Sequence, residues 1–406
     1  MRITLNSLIL PFFALFLLAS CEKGESNGMS VGRTVLIYMA ADNNLSSYAR
    51  QNIEDMKRGD VPAYFATGSG DVLLVYADIK GETPRLIRLS KDRFGDVNEE
   101  ILMEYEDQNS CSDSVMREVL SYAAGLFPSS ENGLVLWSHG TGWLPEGYYS
   151  NPTGMSPDGV LSAASHIYDP YAAYVKSFGA DGGAEMDIRD LADALPVHYS
   201  FILMDACLMG GVEVAYELKD RCDYFLSSAA EVLASGFPYD KVVGELFKGK
   251  RGLENVCRLY YENYQEQGAT VSMVDARKLD QLAEACLDIF LSGGRDAVRA
   301  LDVDSVQGYF RLNRHWFYDL DDFIFRISLP TQDSGDEGGR YEVFRRTLDE
   351  AVVCKWYTEE FVLGGISQFS INKFSGLSTY IPNPENPILD EYYRTLAWNK
   401  AVMMVE

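Results

Sequence analysis

Two stretches carry residues that can perform nucleophilic chemistry together. The first, Phe201-Ile202-Leu203-Met204-Asp205-Ala206-Cys207-Leu208-Met209-Gly210-Gly211, runs from four apolar residues into an acid, a small residue and a cysteine, then two glycines. Val212 to Leu218 follows with apolar residues at helical spacing. This order predicts a strand, a tight exit and a helix, with Cys207 at the strand's C-terminal end. Open α/β sheets bind ligands at that edge, and a thiol near a helix N-terminus has its thiolate favoured. The second stretch, Gly133-Leu134-Val135-Leu136-Trp137-Ser138-His139-Gly140, is another apolar strand that delivers a histidine to the same kind of edge. A Cys207 thiolate can attack a carbonyl carbon, with His139 protonating the leaving amine and later activating water. Backbone N–H groups of Gly140 and Cys207 would hold the oxyanion, and Gly140 allows close approach. Spacing alone leaves a second reading open, in which Cys207 is an inert packing residue and His139 a satisfied polar group.

Several elements must position this pair. Val35 to Ala41 and Val72 to Asp78 are buried strands, with a helix over Ser46 to Lys57 between them that Asp42, Asn43 or Asn44 can cap. Arg85 to Leu89 and Ile101 to Tyr105 alternate like a hairpin, and Ser112 to Leu126 is amphipathic. After the His139 strand come a long excursion, a helix over Ile188 to Leu195, the Cys207 unit and a strand over Tyr224 to Ala229. Buried strands alternating with helices predict an α/β fold with a mostly parallel central sheet flanked by helices. Past about Tyr239 the pattern is mainly helical, clearest over Asn255–Gln267, Arg277–Leu291 and Glu342–Tyr357. Strands over Thr270–Val274 and Gly376–Pro382 interrupt it. The expected organisation is a signal peptide over 1–20, a tether over 21–33, a catalytic core over 34–240 and a helical C-terminal subdomain over 241–406 that completes the unit.

The net charge of −25 lacks the basic footprint of a nucleic-acid binder. Leu8 to Leu18 is an apolar run too short for a comfortable membrane span, and it suits a signal peptide. Leu18-Ala19-Ser20-Cys21 resembles a bacterial lipobox, which makes Cys21 the lipidated residue of an exported, membrane-anchored lipoprotein at the periplasmic face or cell surface. The other cysteines, Cys111, Cys207, Cys222, Cys257, Cys286 and Cys354, are irregularly spaced in a chain large enough to fold without disulfides. No CxxC pair occurs and histidines are few, so no structural metal site is expected.

His139-Gly140 and Asp205-Ala206-Cys207 resemble the catalytic elements of caspase-like cysteine peptidases, and the wording is closest to the clostripain family. Tyr38-Met39-Ala40-Ala41-Asp42-Asn43-Asn44-Leu45, Asp205 to Met209 with Glu213 to Leu218, Asp319-Leu320-Asp321-Asp322-Phe323 and Gly376 to Pro382 resemble that family's segments. The likeness spans roughly residues 34 to 385 and implies a caspase-like sandwich. It also implies hydrolysis of protein or peptide substrates after Arg or Lys, with Asp205 in the pocket for the residue before the cut. A carboxylate there would pair with a guanidinium or ammonium; as a residue by itself, Asp205 could equally cap the following helix. Glu231, after the next strand, is a second candidate acid near that pocket. Family members often cleave themselves between the histidine and the cysteine. Gly140 to Val175 holds no Lys or Arg, so the first basic residue in that interval is Lys176, followed by Arg189 in a predicted helix. Calcium serves some members; no EF-hand-like run occurs, and no cofactor is otherwise expected.

Asp42 and Asp78 end strands at the same edge, where capping and loop bonding suit them. His166, His198 and His315 do not end a strand at that edge and are expected to be structural. Two other functions compete with a monomeric lipid-anchored endopeptidase. One is a surface binding lipoprotein on a decayed peptidase scaffold, and the other is an amidase or similar thiol hydrolase that needs no acid in the pocket.

Overall fold

Strand β1 (Arg33–Ala41) is buried at all of its positions because helices cover both faces of its sheet. Alternate residues serve different cores: Leu36, Tyr38 and Ala40 face one, Val35, Ile37 and Met39 the other. The structure is a computed structural model that describes residues 32–64, 70–145, 148, 178–182, 184–310, 315–332, 339–383 and 387–406. The expected signal peptide, Cys21 and nearly all of the tether lie outside the described residues, as do His166, Lys176 and most of the excursion between His139 and Ile188.

After β1 come β2 (Val72–Ile79), β3 (Arg85–Lys91), β4 (Val97–Glu104), β5 (Glu131–Trp137), β6 (Phe178–Asp181) and β7 (Ala184–Met186). They are followed by β8 (Tyr199–Asp205), β9 (Cys222–Ser227), β10 (Thr270–Asp275), β11 (Tyr318–Asp319), β12 (Val352–Tyr357), β13 (Glu360–Leu363), β14 (Ile366–Ser370) and β15 (Ser378–Thr379). One nine-stranded sheet has the order β12-β10-β9-β8-β5-β1-β2-β3-β4. Its centre, β9 to β2, is parallel, and both flanks are antiparallel, so the sheet is mixed. Helices α1 (Ser46–Arg58), α2 (Asp113–Leu126), α3 (Ile188–Ala194), α4 (Val212–Glu217), α5 (Tyr239–Val242) and α6 (Gly249–Asn263) punctuate the strands. Helices α1, α5 and α6 cover one face; α2, α3, α4 and α7 (Leu279–Ile289) cover the other.

Two expectations from the sequence are corrected. The run Glu342 to Tyr357 is not one helix: after α8 (Arg295–Arg299) and α9 (Leu320–Gln332), α10 (Arg340–Ala351) stops, and β12 begins at Val352. Val352-Val353-Cys354-Lys355-Trp356-Tyr357 is rich in β-branched and aromatic residues, and β10 offers them a pairing edge. Thr270–Asp275 therefore joins the main sheet, so strands from the C-terminal half extend that of the N-terminal half. The Gly376–Pro382 stretch does not join it. Only Ser378 and Thr379 form a strand, which pairs with β11 and bridges to Gly211 in the turn after Cys207.

Candidate active site

Parallel pairing of β5 with β8 sets Trp137 beside Asp205, and the Ser138 N–H donates to the Asp205 carbonyl at 3.3 Å. His139 and Cys207 are each two residues past that pair, on neighbouring chains separated by ~4.8 Å. The contact is close: a Cβ on Gly140 would lie 2.6 Å from the Cys207 carbonyl oxygen and 3.0 Å from Ala206 Cβ. Only glycine lets the His139 segment lie against the Cys207 backbone.

The exit after Cys207 is held from three sides. Leu208 is left-handed (φ 63°), an uncommon conformation for a side chain of its size. Its N–H donates to Ala230 O at 3.0 Å, and the Gly210 N–H to Ser228 O at 2.7 Å. Gly210 is required there, since a Cβ would meet the Ala229 nitrogen at 2.5 Å. The Cys207 thiol itself sits on the Val232 peptide: the Val232 N–H points at Sγ at 3.3 Å, and Sγ lies 3.4 Å from Val232 O.

His139 is buried, and burial pushes its ring pKa down to about 4, so the imidazole is neutral at neutral pH. Its Nε2 lies 2.7 Å from Asn44 Oδ1. With that carbonyl as acceptor, Nε2 carries the proton and Nδ1 keeps its lone pair. Asn43 builds the turn that presents Asn44. Its amide donates to Ala40 O and Ala180 O, at 3.1 and 2.8 Å, and its carbonyl accepts from the Leu45 N–H at 2.8 Å. Helix α1 has no side-chain cap, so capping by Asp42 is not what the triplet does.

Asp205 does not cap α4, whose N-cap residue is Gly211. It points the other way, to the face covered by α1 and α5. There Oδ2 accepts from the Phe237 N–H at 3.1 Å and the Tyr239 hydroxyl at 2.8 Å. Burial pushes this carboxyl up to about 6, and the two donors oppose that rise. Gly236 (φ +65°) lies against it, since a Cβ there would be 2.7 Å from Oδ2. Asn52 of α1 joins the same group, accepting from Trp137 Nε1 at 2.9 Å and donating to Ser235 O at 3.0 Å. Residues 231–239 are thus clamped at one end on Cys207, through Val232, and at the other on Asp205. Glu231, half-buried, sits in this loop next to Val232.

Asp78 and Asp181 meet at the same sheet edge, where the Ser110 hydroxyl bonds Asp78 and its N–H bonds Asp181. Burial raises both, Asp78 to about 7, and Asp42 adds repulsion. These carboxylates are engaged by Ser110, and among the described residues no three or more His, Cys, Asp and Glu are grouped to hold a metal ion. His198 is exposed at the opposite edge beside Asp223, and His315 packs on Phe310. Arg189 is held by Asp187 through paired bonds of 2.9 and 2.8 Å and lies over the Tyr392 ring.

Sequence reasoning missed Asn44, Asn52 and Glu213. Asn44 had a signal, a polar triplet at a strand end on the catalytic edge. Glu213 is fully buried, and its Oε1 accepts from the Tyr380 N–H, the Thr379 hydroxyl and the Tyr393 hydroxyl at 2.9, 2.9 and 2.8 Å. It straps the Gly376–Pro382 segment behind the turn that follows Cys207. Asp319 does the same one layer out, accepting from the Tyr309 hydroxyl at 2.7 Å and the Ser375 N–H at 2.6 Å.

The model of the clostripain family matches residues 37–160 and 164–393. An inactive zymogen C11 protease from Parabacteroides distasonis is 32% identical, with a TM-score of 0.75, over 92% of this chain and 98% of that one. A secreted C11 cysteine protease from Bacteroides thetaiotaomicron, solved with an irreversible peptide inhibitor, is 30% identical, with a TM-score of 0.73, over 91% and 99%. No curated protein matches. The mixed sheet and its helical layers therefore have a known context: the chain belongs to the clostripain family of cysteine peptidases, with its caspase-like fold.

Proposed function

We propose that the protein is an endopeptidase that cuts after Arg or Lys, with Cys207 as nucleophile and His139 as general acid and base. The observation that carries this reading is the pairing of β5 with β8, which brings the His139-Gly140 backbone against Cys207. The Nδ1 lone pair of His139 takes the thiol proton, and sulfur attacks the scissile carbonyl carbon. Backbone N–H groups of Gly140 and Cys207 receive the oxyanion. Nδ1–H then protonates the leaving amine, and the emptied nitrogen activates the water that hydrolyses the thioester. The inhibitor bound to the Bacteroides relative supports a peptide substrate. A buried carboxylate at Asp205, with Glu231 in the loop above the thiol, supports a cationic side chain before the cut.

The test is a fluorogenic panel with Arg, Lys, Asp or Leu before the cleaved bond. Turnover confined to Arg and Lys and lost in Cys207→Ala is the expected result. Activity surviving Cys207→Ala rejects the nucleophile, and no turnover of any substrate by the processed chain favours the binding lipoprotein.

Self-processing after Lys176 belongs to the same reading. The zymogen state of the Parabacteroides relative supports a processing step, and the tight pairing of Arg189 with Asp187 leaves Lys176 the better candidate. N-terminal sequencing of the larger, C-terminal fragment should begin at Ser177. We also propose export with a lipid on Cys21, tested by fatty-acid labelling that disappears in Cys21→Ala. Among the described residues no helix is long and apolar enough to cross a membrane.

A further inference from the structure

We propose that Cys257 and Cys354 form an intramolecular disulfide that staples α6 to the edge strand β12. Both side chains belong to the core on one side of the sheet: Cys257 is fully buried within it and Cys354 packs against it, half-buried. Cys354 pairs with Met273 of β10, whose side chain lies in that same core. The register between helix and strand is fixed by a second contact. Tyr261, one turn past Cys257, stacks on Trp356, two residues past Cys354, with ring centroids 5.7 Å apart and planes at 27°. One helical turn advances ~6 Å and two strand residues advance ~6.7 Å along a common face. The stacked rings therefore set the two thiols opposite each other. The thiols also interact directly, with Cys354 as the acceptor-like partner: the contact lowers its pKa and raises that of Cys257.

Among the described residues the other thiols are placed elsewhere. Cys111, Cys222 and Cys286 lie in the core on the other side of the sheet, and Cys207 is seated on Val232. Sequence spacing gave no hint of the pair, because the two residues meet only when β12 docks at the sheet edge.

The reaction requires a disulfide as oxidant, which we take to be a small-molecule disulfide such as oxidised glutathione. The half-buried Cys354 sulfur attacks one sulfur of the oxidant and releases one small thiol. Cys257 then attacks the mixed disulfide and releases the second. The protein's two thiols lose two electrons and two protons, and both appear in the two small thiols formed. The staple bears on the active site because α6 supports the 231–239 loop. Tyr260 stacks on Phe237 at 4.3 Å, and the Tyr264 hydroxyl bonds the Gly236 carbonyl and lies 2.8 Å from Ser235 Oγ.

The full chain carrying Cys207→Ala, which can neither digest itself nor spend oxidant at the nucleophile, is incubated with oxidised glutathione and mapped without reduction. A peptide pair joining Cys257 to Cys354 is expected, together with the loss of two titratable thiols. The urea midpoint should move up on oxidation, because the cross-link closes a long loop in the unfolded chain. The same upward shift must be absent from Cys257→Ser. Recovery of Cys354 only as a glutathione adduct, or joined to another cysteine, overturns the pairing. A linked chain whose midpoint does not move overturns the staple.

Discussion

Asn44 Oδ1 and His139 Nε2 are 2.7 Å apart, so the His139 imidazole is oriented by a turn at the end of the neighbouring strand β1. That bond decides which ring nitrogen keeps its lone pair. Asn44→Ala should lower kcat by up to about 100-fold through misplacement of the ring, with KM little changed. Asn44→Asp keeps an acceptor and adds a charge that raises the histidine pKa. It should retain more activity than Asn44→Ala, with an acidic limb moved to higher pH. Steady-state kinetics across pH on a basic fluorogenic substrate checks both.

Asp205 should influence specificity and stability in separable ways. Asp205→Asn keeps the shape and an oxygen for Phe237 and Tyr239 but removes the charge. The expected loss in kcat/KM falls on Arg and Lys substrates, of the order of 10-fold or more for a charge-assisted contact. Glu231→Gln should cost less.

The pH dependence of folding carries a second signature. The Asp205 carboxyl is raised from 3.8 to about 6, so the folded chain holds an extra proton between those values, and stability falls as pH rises through that window. His139 acts with the opposite sign: its ring is lowered to about 4, so its contribution is present above about 6.5 and is lost as pH falls toward 4. In Asp205→Asn this carboxyl's contribution is removed, while those of His139, Asp78 and the other shifted groups are common to variant and parent. The variant's unfolding free energy should gain on the parent by up to about 1.4 kcal/mol per pH unit between pH 4 and 6. Urea titrations at several pH values measure the difference, and parallel curves would refute it.

Gly140→Ala places a methyl 2.6 Å from the Cys207 carbonyl oxygen, against backbone that β5 and β8 hold fixed. A loss of about 1–3 kcal/mol is expected from overpacking, along with loss of turnover because the two strand ends must part. Thermal unfolding and a single assay report both.

Glu213→Ala leaves three buried donors, on Tyr380, Thr379 and Tyr393, without their acceptor. A loss of about 3 kcal/mol or more is expected. Glu213→Gln still accepts at one oxygen and should cost less, and burial already favours the neutral form of the native side chain. Chemical denaturation of both variants tests the order.

The strands that carry the chemistry were legible because buried parallel strands are written as unbroken apolar runs, such as Phe201 to Met204 and Gly133 to Trp137. The glycines after Cys207 and His139 were legible for a related reason, since close backbone approach excludes any side chain. The edge strand β12 was not: Glu342 to Tyr357 reads as one amphipathic run, and only the free edge of β10 makes its second half extended.

The sequence by itself determined the alternation of strand and helix that puts His139 and Cys207 at one sheet edge, and so made them the candidate catalytic pair. These follow from local spacing and from apolar patterning, which need no knowledge of distant partners. Tertiary structure alone decided which way Asp205 points, that Asn44 orients His139, that Val232 seats the thiol, that Glu213 anchors the Ser378 strap and that Cys257 meets Cys354. Each of these joins residues far apart in the chain through hydrogen bonds or packing, and such contacts exist only once the sheet order and the helical layers are fixed.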